Sequence, residues 1–78
     1  MEASEVNALV SAAFERAEVK VDLVGGHYTV TVISSDFEGM RSVARQQKVY
    51  APLADVIAAG TIHAVNIRAL TPDEAQGN

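Results

Sequence analysis

Two histidines, His27 and His63, are the side chains in this sequence best suited to bind a metal ion. The chain has no cysteine, so it cannot by itself form a disulfide, supply a thiolate nucleophile or build a cysteine-based zinc or iron-sulfur site. Two imidazoles fill only half of a four-coordinate site, and the sequence places no acidic residue beside both of them. A complete metal site formed by this chain alone is therefore disfavoured, whereas a site completed by another molecule stays open.

The length and charge of the chain restrict the remaining function classes. With 78 residues, 49% of them hydrophobic and 21% charged, the chain has room for one small domain. Ten acidic residues against six basic ones give a formal net charge of −4, which opposes a general attraction to nucleic acid or anionic membranes. No nucleophile stands with a base and no glycine-rich loop could cradle a phosphate, so an enzyme is disfavoured. The acidic start, with Glu2 and Glu5, does not resemble a targeting signal, and we expect a cytoplasmic protein.

Hydrophobic spacing predicts one helix near the N-terminus. Apolar residues recur at intervals of three and four from Val6 to Ala17, with Ser4 before them as the expected N-cap. This pattern predicts an amphipathic helix of about four turns.

A second helical segment is predicted between Arg41 and Ala58. Val43, Tyr50 and Leu53 lie there at mostly helical spacing. Pro52 lacks the N–H that a helix interior requires, so we expect either a kink or two shorter helices that meet near Tyr50.

Between these helices the sequence predicts a β-hairpin. Two runs rich in β-branched residues, 19–24 and 27–33, flank the turn residues Gly25 and Gly26. In the second run apolar and polar residues alternate, which is typical of a sheet covered on one face only. His27 is then the first residue of its strand and lies on the wetter face.

The third strand is predicted over residues 62–68, after the long helical segment. Such a connection normally makes the second and third strands parallel, so adjacent strands would bring His27 and His63 to the same end of the sheet. An intervening first strand or a shifted register would separate them. A short last helix is predicted from the capping pattern of Thr71 and Glu74. The predicted fold is a single α+β domain of order α-β-β-α(α)-β with a three-stranded mixed sheet.

A structural role for His63 must also be considered. It has the same strand parity as Val65 and Ile67, so it could be a partly buried histidine bonded to a backbone carbonyl. The residues alone favour this role. The alternative is a neutral imidazole at the sheet edge that takes coordination positions while a partner supplies thiolates.

Five stretches of the chain, taken together and in order, strongly resemble the BolA family. They are H-Y-T-V at 27–30, S-S-D-F-E-G at 34–39, V-Y-A-P-L at 49–53, I-H-A-V at 62–65 and T-P-D-E at 71–74. The block F-E-G-M, followed by R-Q-Q-K-V-Y and I-H-A-V, is most similar to the IbaG-like bacterial branch. The match covers nearly the whole chain. It implies an α-β-β-α-β fold related to type II KH domains, in agreement with the predicted element order.

The resemblance implies a non-catalytic adaptor. Members of this family pair with monothiol glutaredoxins and share a [2Fe-2S] cluster, to which the partner contributes one cysteine and bound glutathione another. The roles implied are iron-sulfur cluster trafficking or an iron, redox and stress response. The histidine of the family's I-H-A motif matches His63, and His27 is the residue here that could match a second ligand, a Cys or His of the loop between the first two strands.

Two features depart from the family pattern. Many members have a histidine in an R-H-R segment where this chain reads Arg45-Gln46-Gln47, a difference that suits the IbaG-like branch. A tryptophan that often follows T-P-x-E is replaced by Ala75, which removes an aromatic anchor. We therefore expect a domain of residues 1–78 whose last residues, 75–78, are frayed.

DNA binding through the second helical segment is the competing hypothesis. Arg41, Arg45 and Lys48 lie at spacings of four and three, and DNA binding has been proposed within the family that the chain resembles. The same spacing is typical of a solvated helix face, which is the preferred interpretation, because three phosphate contacts would bind only weakly. Arg45, Lys48 and the Thr71-Pro72 corner are also candidate contacts for a glutaredoxin. A weak homodimer is a further partner that the sequence leaves open.

Overall fold

The computed structural model describes residues 1–77, in which the elements follow the order helix, strand, strand, helix, helix, strand, helix. This order and the mixed sheet confirm the predicted α+β fold class. None of the helices in this range is long and apolar enough to cross a membrane. The helices are α1 (Ala3–Ser11), α2 (Ser42–Tyr50), α3 (Ala54–Ala58) and α4 (Pro72–Ala75), and the strands are β1 (Glu18–Val24), β2 (His27–Ile33) and β3 (Ala64–Leu70).

The three strands form one sheet in the order β1-β2-β3. Strand β1 pairs with β2 in antiparallel orientation, and the turn between them places Gly25 at φ 57° and Gly26 at φ 82°. Positive φ at both central residues is the geometry of a two-residue type I′ turn, which explains the Gly-Gly sequence. Strand β3 runs parallel to β2, because the chain returns through α2 and α3 before it re-enters the sheet.

One face of the sheet carries the core. Tyr28, Val30 and Val32 of β2 are buried on this face, and the opposite face is mostly polar, as the alternation predicted. Thr31 lies on the polar face but is only 9% exposed, since its register neighbours Lys20 and Arg68 flank it on both sides. The remaining buried hydrophobic residues are Val6, Val10, Phe14, Phe37, Val49, Leu53, Ile62 and Ala69.

The first helix is shorter than predicted and begins earlier. Its N-cap is Glu2, whose N–H donates to the Glu5 carboxylate at 2.9 Å, so the prediction of Ser4 as N-cap was wrong. The helix ends at Ser11 rather than near Ala17. Phe14, beyond the helix end, packs edge-on against Phe37 with ring centroids 5.8 Å apart. This core contact requires the chain to leave the helix, which periodicity alone does not reveal.

The second helical segment breaks at Pro52 as predicted. Helix α2 ends at Tyr50, a 3-10 turn spans Ala51–Leu53, and α3 follows. The inner face of α2 differs from the prediction, because Val49 is fully buried whereas Val43 is 68% exposed. Tyr50 is also exposed, so both of these predicted stripe residues lie on the outer side of the helix.

Candidate functional site

His27 lies at the end of the hairpin, as the first residue of β2. It is paired with Val24 across the turn and with Ala64 of β3. Its side chain is exposed, which agrees with the predicted position on the wetter face. The backbone of His27 is therefore held by strands on both sides while its ring remains in solvent.

His63 lies in the loop that joins α3 to β3. Gly60, at φ 74°, ends the helix, and the N–H groups of Gly60 and Thr61 donate to the carbonyls of Ile57 and Val56, both at 3.0 Å. This hydrogen-bond pair is the Schellman motif, which requires a left-handed residue and so favours glycine. A Cβ atom at Gly60 would lie 3.6 Å from His63 Cε1, so the imidazole lies against the helix cap.

Two expectations about His63 were wrong. Strand β3 spans Ala64–Leu70 rather than 62–68, so His63 precedes the strand instead of being its second residue. His63 is exposed, which excludes a buried histidine bonded to a backbone carbonyl. The exposure of His63 follows from the position of Ile62. Ile62 is 1% exposed and occupies the core position just before the strand, whose alternation of faces begins only at Ala64.

The register of β2 and β3 places the two histidines at the same end of the sheet. His27 is the partner of Ala64, so His63 is one residue removed from the position opposite His27, on strands that lie about 4.8 Å apart in a sheet. Across the described part of the chain, no group of three or more His, Cys, Asp or Glu side chains could hold a metal ion. This end of the sheet thus carries one imidazole from β2 and one from the loop before β3, and a metal ion bound there would need further ligands from a second molecule.

An exposed apolar surface adjoins this end of the sheet. Val24, which pairs with His27, is 76% exposed, and its neighbour Leu23 is 41% exposed. Neither residue was predicted from the sequence to belong to a functional surface. The sequence nevertheless contains an indication of this surface, because Leu23 and Val24 are consecutive apolar residues directly before Gly25. Successive side chains of a strand point to opposite faces, so a sheet covered on one face cannot bury both of them.

Arg45 does not belong to a solvated helix face, contrary to the sequence-based interpretation. Its side chain is only 15% exposed and forms a 2.6 Å ion pair with Glu74. Arg45 Nε donates to the Met40 carbonyl at 3.0 Å, and Nη1 donates to the Ala69 carbonyl at 3.3 Å. The guanidinium also lies 6.0 Å from the centre of the Phe37 ring. Arg45 is thus engaged within the fold.

The carboxylate of Glu74 is the acceptor at the centre of this contact. It accepts from Arg45 Nη1 and from the Thr71 N–H, at 2.6 and 2.9 Å. These two bonds lower the pKa of Glu74, with the Arg45 bond as the larger cause. The Thr71 hydroxyl in turn accepts from the Glu74 N–H, which confirms the predicted capping box of α4.

The predicted basic surface is therefore reduced to Arg41 and Lys48, both of which are exposed. Two phosphate contacts give less affinity than the three considered from the sequence, which weakens the DNA-binding hypothesis. At the Thr71-Pro72 corner, Thr71 is buried and Pro72 is exposed, so Pro72 remains available to a partner.

Comparisons with known proteins agree with this fold and with these motifs. The family model described as BolA-like protein matches residues 11–74. The chain belongs to the BolA-like protein family.

Relatives within the BolA-like family cover nearly all of the chain. A protein from Acinetobacter guillouiae, described as an uncharacterized protein in the rpoN-murA intergenic region, is 45% identical over 95% of this chain and 89% of its own length. The acid stress protein IbaG of Escherichia coli K12 is 42% identical over 95% of this chain and 88% of its own length. These relatives confirm the resemblance to the IbaG-like branch.

A solved BolA-like structure has the same fold. BolA1 from Arabidopsis thaliana superposes with a TM-score of 0.80 at 30% identity, covering 95% of this chain and 98% of the Arabidopsis chain. The order of elements inferred from the pattern of residues is thus the order of the family.

The C-terminal segment 75–78 was predicted to fray. Ala75 is the last residue of α4, and the Gln76 N–H donates to the Pro72 carbonyl at 3.2 Å. Asn78 lies outside the described residues. Fraying of this segment stays a prediction.

Proposed function

We propose that this BolA-like protein is a non-catalytic cytoplasmic adaptor that pairs with a monothiol glutaredoxin and shares a [2Fe-2S] cluster through His63 and His27. The observation that supports the proposal is the β2–β3 register, which places two exposed imidazoles at one end of the sheet. Family membership supports it in addition, through the adaptor function that the resemblance implies. Such a protein would act in cluster trafficking or in an iron, redox or stress response.

The two imidazoles suit a cluster that is shared with a partner better than a metal site formed by this chain alone. Neutral imidazole nitrogens are good iron ligands, and a cluster iron can carry two of them in place of two thiolates. Within residues 1–77 no third ligand joins the histidines, so the remaining donors would have to come from a thiolate-bearing partner. The chain's own contribution is to hold two nitrogens and leave the other side of the site open.

The two histidines are held by different means. His63 directly follows buried Ile62 and the glycine cap of α3, so its backbone is anchored to the core. His27 is positioned by its pairing with Val24 and Ala64. We expect the loss of His63 to be the more damaging, because this residue also matches the family's I-H-A motif.

The apolar surface at the end of the hairpin suits a contact with the partner protein. Val24 is largely exposed although it is adjacent to His27, and exposed apolar side chains beside polar groups are typical of docking surfaces. Substitution of Val24 with alanine should weaken the complex without removing a ligand.

The experiment is a titration of the protein into a [2Fe-2S]-loaded monothiol glutaredoxin, followed by visible circular dichroism. The native chain should produce a new spectrum, His63→Ala should abolish it, and His27→Ala should abolish or strongly alter it. Glu15→Ala, an exposed residue that precedes β1 at the end of the sheet away from His27, is the control and should behave like the native chain. Absence of any spectral change and of any complex with the native chain would refute the proposal.

The pH dependence of this spectrum gives an independent test. A protonated imidazole nitrogen has no lone pair for iron, so protons compete with iron for the ligand and histidine ligation should weaken as the pH is lowered. The spectrum should be lost before the protein unfolds, as followed by far-ultraviolet circular dichroism. A cluster spectrum that is lost only together with the far-ultraviolet signal would count against ligation by these histidines.

A further inference from the structure

The two edges of the sheet are protected to different extents. On the β3 edge, the carbonyls of Ile67 and Ala69 accept hydrogen bonds from Gln46 Nε2 at 2.9 Å and Arg45 Nη1 at 3.3 Å. Side chains of α2 thus occupy two carbonyl acceptors of this edge. On the β1 edge, the described residues provide one such contact, from Asn7 Nδ2 to the Val19 carbonyl at 3.0 Å.

The middle of the β1 edge is left open. Val24 and His27 flank the type I′ turn, so their backbone N–H and C=O groups bond to each other. Because hydrogen-bonded and non-hydrogen-bonded pairs alternate along an antiparallel ladder, the backbone groups of the even-numbered residues of β1 bond to β2, and those of the odd-numbered residues face outward. The bond from Asn7 to Val19 agrees with this parity. The backbone N–H and C=O groups of Val21 and Leu23 therefore point away from the sheet, and no contact within residues 1–77 satisfies them. An open edge of this kind is a template for another strand.

We propose that the β1 edge pairs with the β1 edge of a second copy of this chain, antiparallel and centred on Val21. This register is isologous, because each copy presents the same strand to the other. It places Lys20 of each copy opposite Asp22 of the other, so two cross-strand pairs of opposite charge form. Opposite charges in directly facing positions stabilise strand pairing, whereas like charges oppose it.

The surface beside the β1 edge has room for the second strand. A groove of about 310 Å³ lies between α1 and β1, lined by Ala3, Ser4, Asn7, Ala8 and Val21. The residues contributed by α1 are mostly small, so α1 does not fill the space beside Val21. In the centred register, Val21 of the second copy points to the same face as Val21 of the first and enters this groove.

The pairing is tested by sedimentation velocity of the full chain at low ionic strength, at protein concentrations from about 10 μM to about 1 mM. The native chain should shift from monomer to dimer across this range. Lys20→Asp and Asp22→Lys should each weaken association roughly tenfold, and the double variant should restore it, because the facing charges again have opposite sign. Lys20 and Asp22 face Thr31 and Thr29 within the chain, so these variants keep the β1–β2 ladder.

A backbone variant gives a second, independent test. Val21→Pro removes an N–H that faces outward, so the ladder with β2 is retained while the centre of the dimer loses both of its N–H donors. Val21→Thr keeps the N–H and is the matched control, which should dimerise like the native chain. A native chain that stays monomeric at every concentration would overturn the proposal, as would a double charge variant that fails to regain association.

Discussion

Arg45 Nη1 lies 2.6 Å from Glu74 Oε1, and this ion pair joins the middle of α2 to the short helix α4. The same nitrogen donates to the Ala69 carbonyl on the edge of β3, so one side chain links the second helix, the third strand and the C-terminal helix. Arg45, which was considered as a DNA contact, therefore stabilises the domain by joining these three elements.

Arg45→Ala should destabilise the protein by about 2 kcal/mol, because it leaves the carbonyls of Met40 and Ala69 without a side-chain donor and removes the partner of Glu74. Urea unfolding followed by far-ultraviolet circular dichroism measures this change. Lys48→Ala, on the exposed side of the same helix, should change the free energy of unfolding by less than about 0.5 kcal/mol. Equal losses in the two variants would contradict the role assigned to Arg45.

The contact between Glu74 and Arg45 should also make stability depend on pH. Because the folded state lowers the pKa of Glu74, its contribution is fully present above the ordinary glutamate pKa, about 4.3, and is lost as pH falls through the lower folded-state value. Native protein should therefore lose part of its stability as the pH falls below about 4.3, in a step that Glu74→Gln lacks. Melting temperatures across this range compare the two chains, and parallel curves would rule out the coupling.

Gly60→Ala should lower stability by about 1 kcal/mol, because φ 74° is unfavourable for a residue with a Cβ atom. Gly60→Asn should cost less, since asparagine tolerates the left-handed region. The added Cβ would contact His63 Cε1 at 3.6 Å without a clash, so neither variant should remove the cluster spectrum. Thermal unfolding measures the first effect and visible circular dichroism the second.

Ile62 and Val24 are apolar residues next to the two histidines that differ in burial. Ile62 directly precedes His63 and is buried, whereas Val24 pairs with His27 and is exposed. Ile62→Ala should cost about 3 kcal/mol, because Ile62 is fully packed in the core just before His63. Val24→Ala should leave stability within about 0.5 kcal/mol of the native value, because Val24 is exposed, but should weaken binding to glutaredoxin. Denaturant unfolding and titration calorimetry separate the two outcomes. A normal affinity in Val24→Ala would remove this residue from the docking surface.

Local interactions explain why much of the fold could be predicted from the sequence. The Gly25-Gly26 turn, the break at Pro52 and the capping box of Thr71 each depend on residues within about four positions along the chain. The parallel pairing of β2 and β3 follows from the length of their connection. The sequence therefore predicted that His27 and His63 lie at one end of the sheet if β2 and β3 are adjacent, and the tertiary structure supplied that adjacency through the strand order β1-β2-β3.

Tertiary packing decided which side chains are free. The helical spacing of Arg45 from Arg41 and Lys48 predicts a surface residue. Its hydrogen-bond acceptors nevertheless come from Ala69 and Glu74, which are distant in the sequence. His63 has the parity of the buried face, yet Ile62 takes the core position and leaves the imidazole exposed. Periodicity records which face a residue would occupy in an ideal element, whereas burial depends on where that element ends and what packs against it.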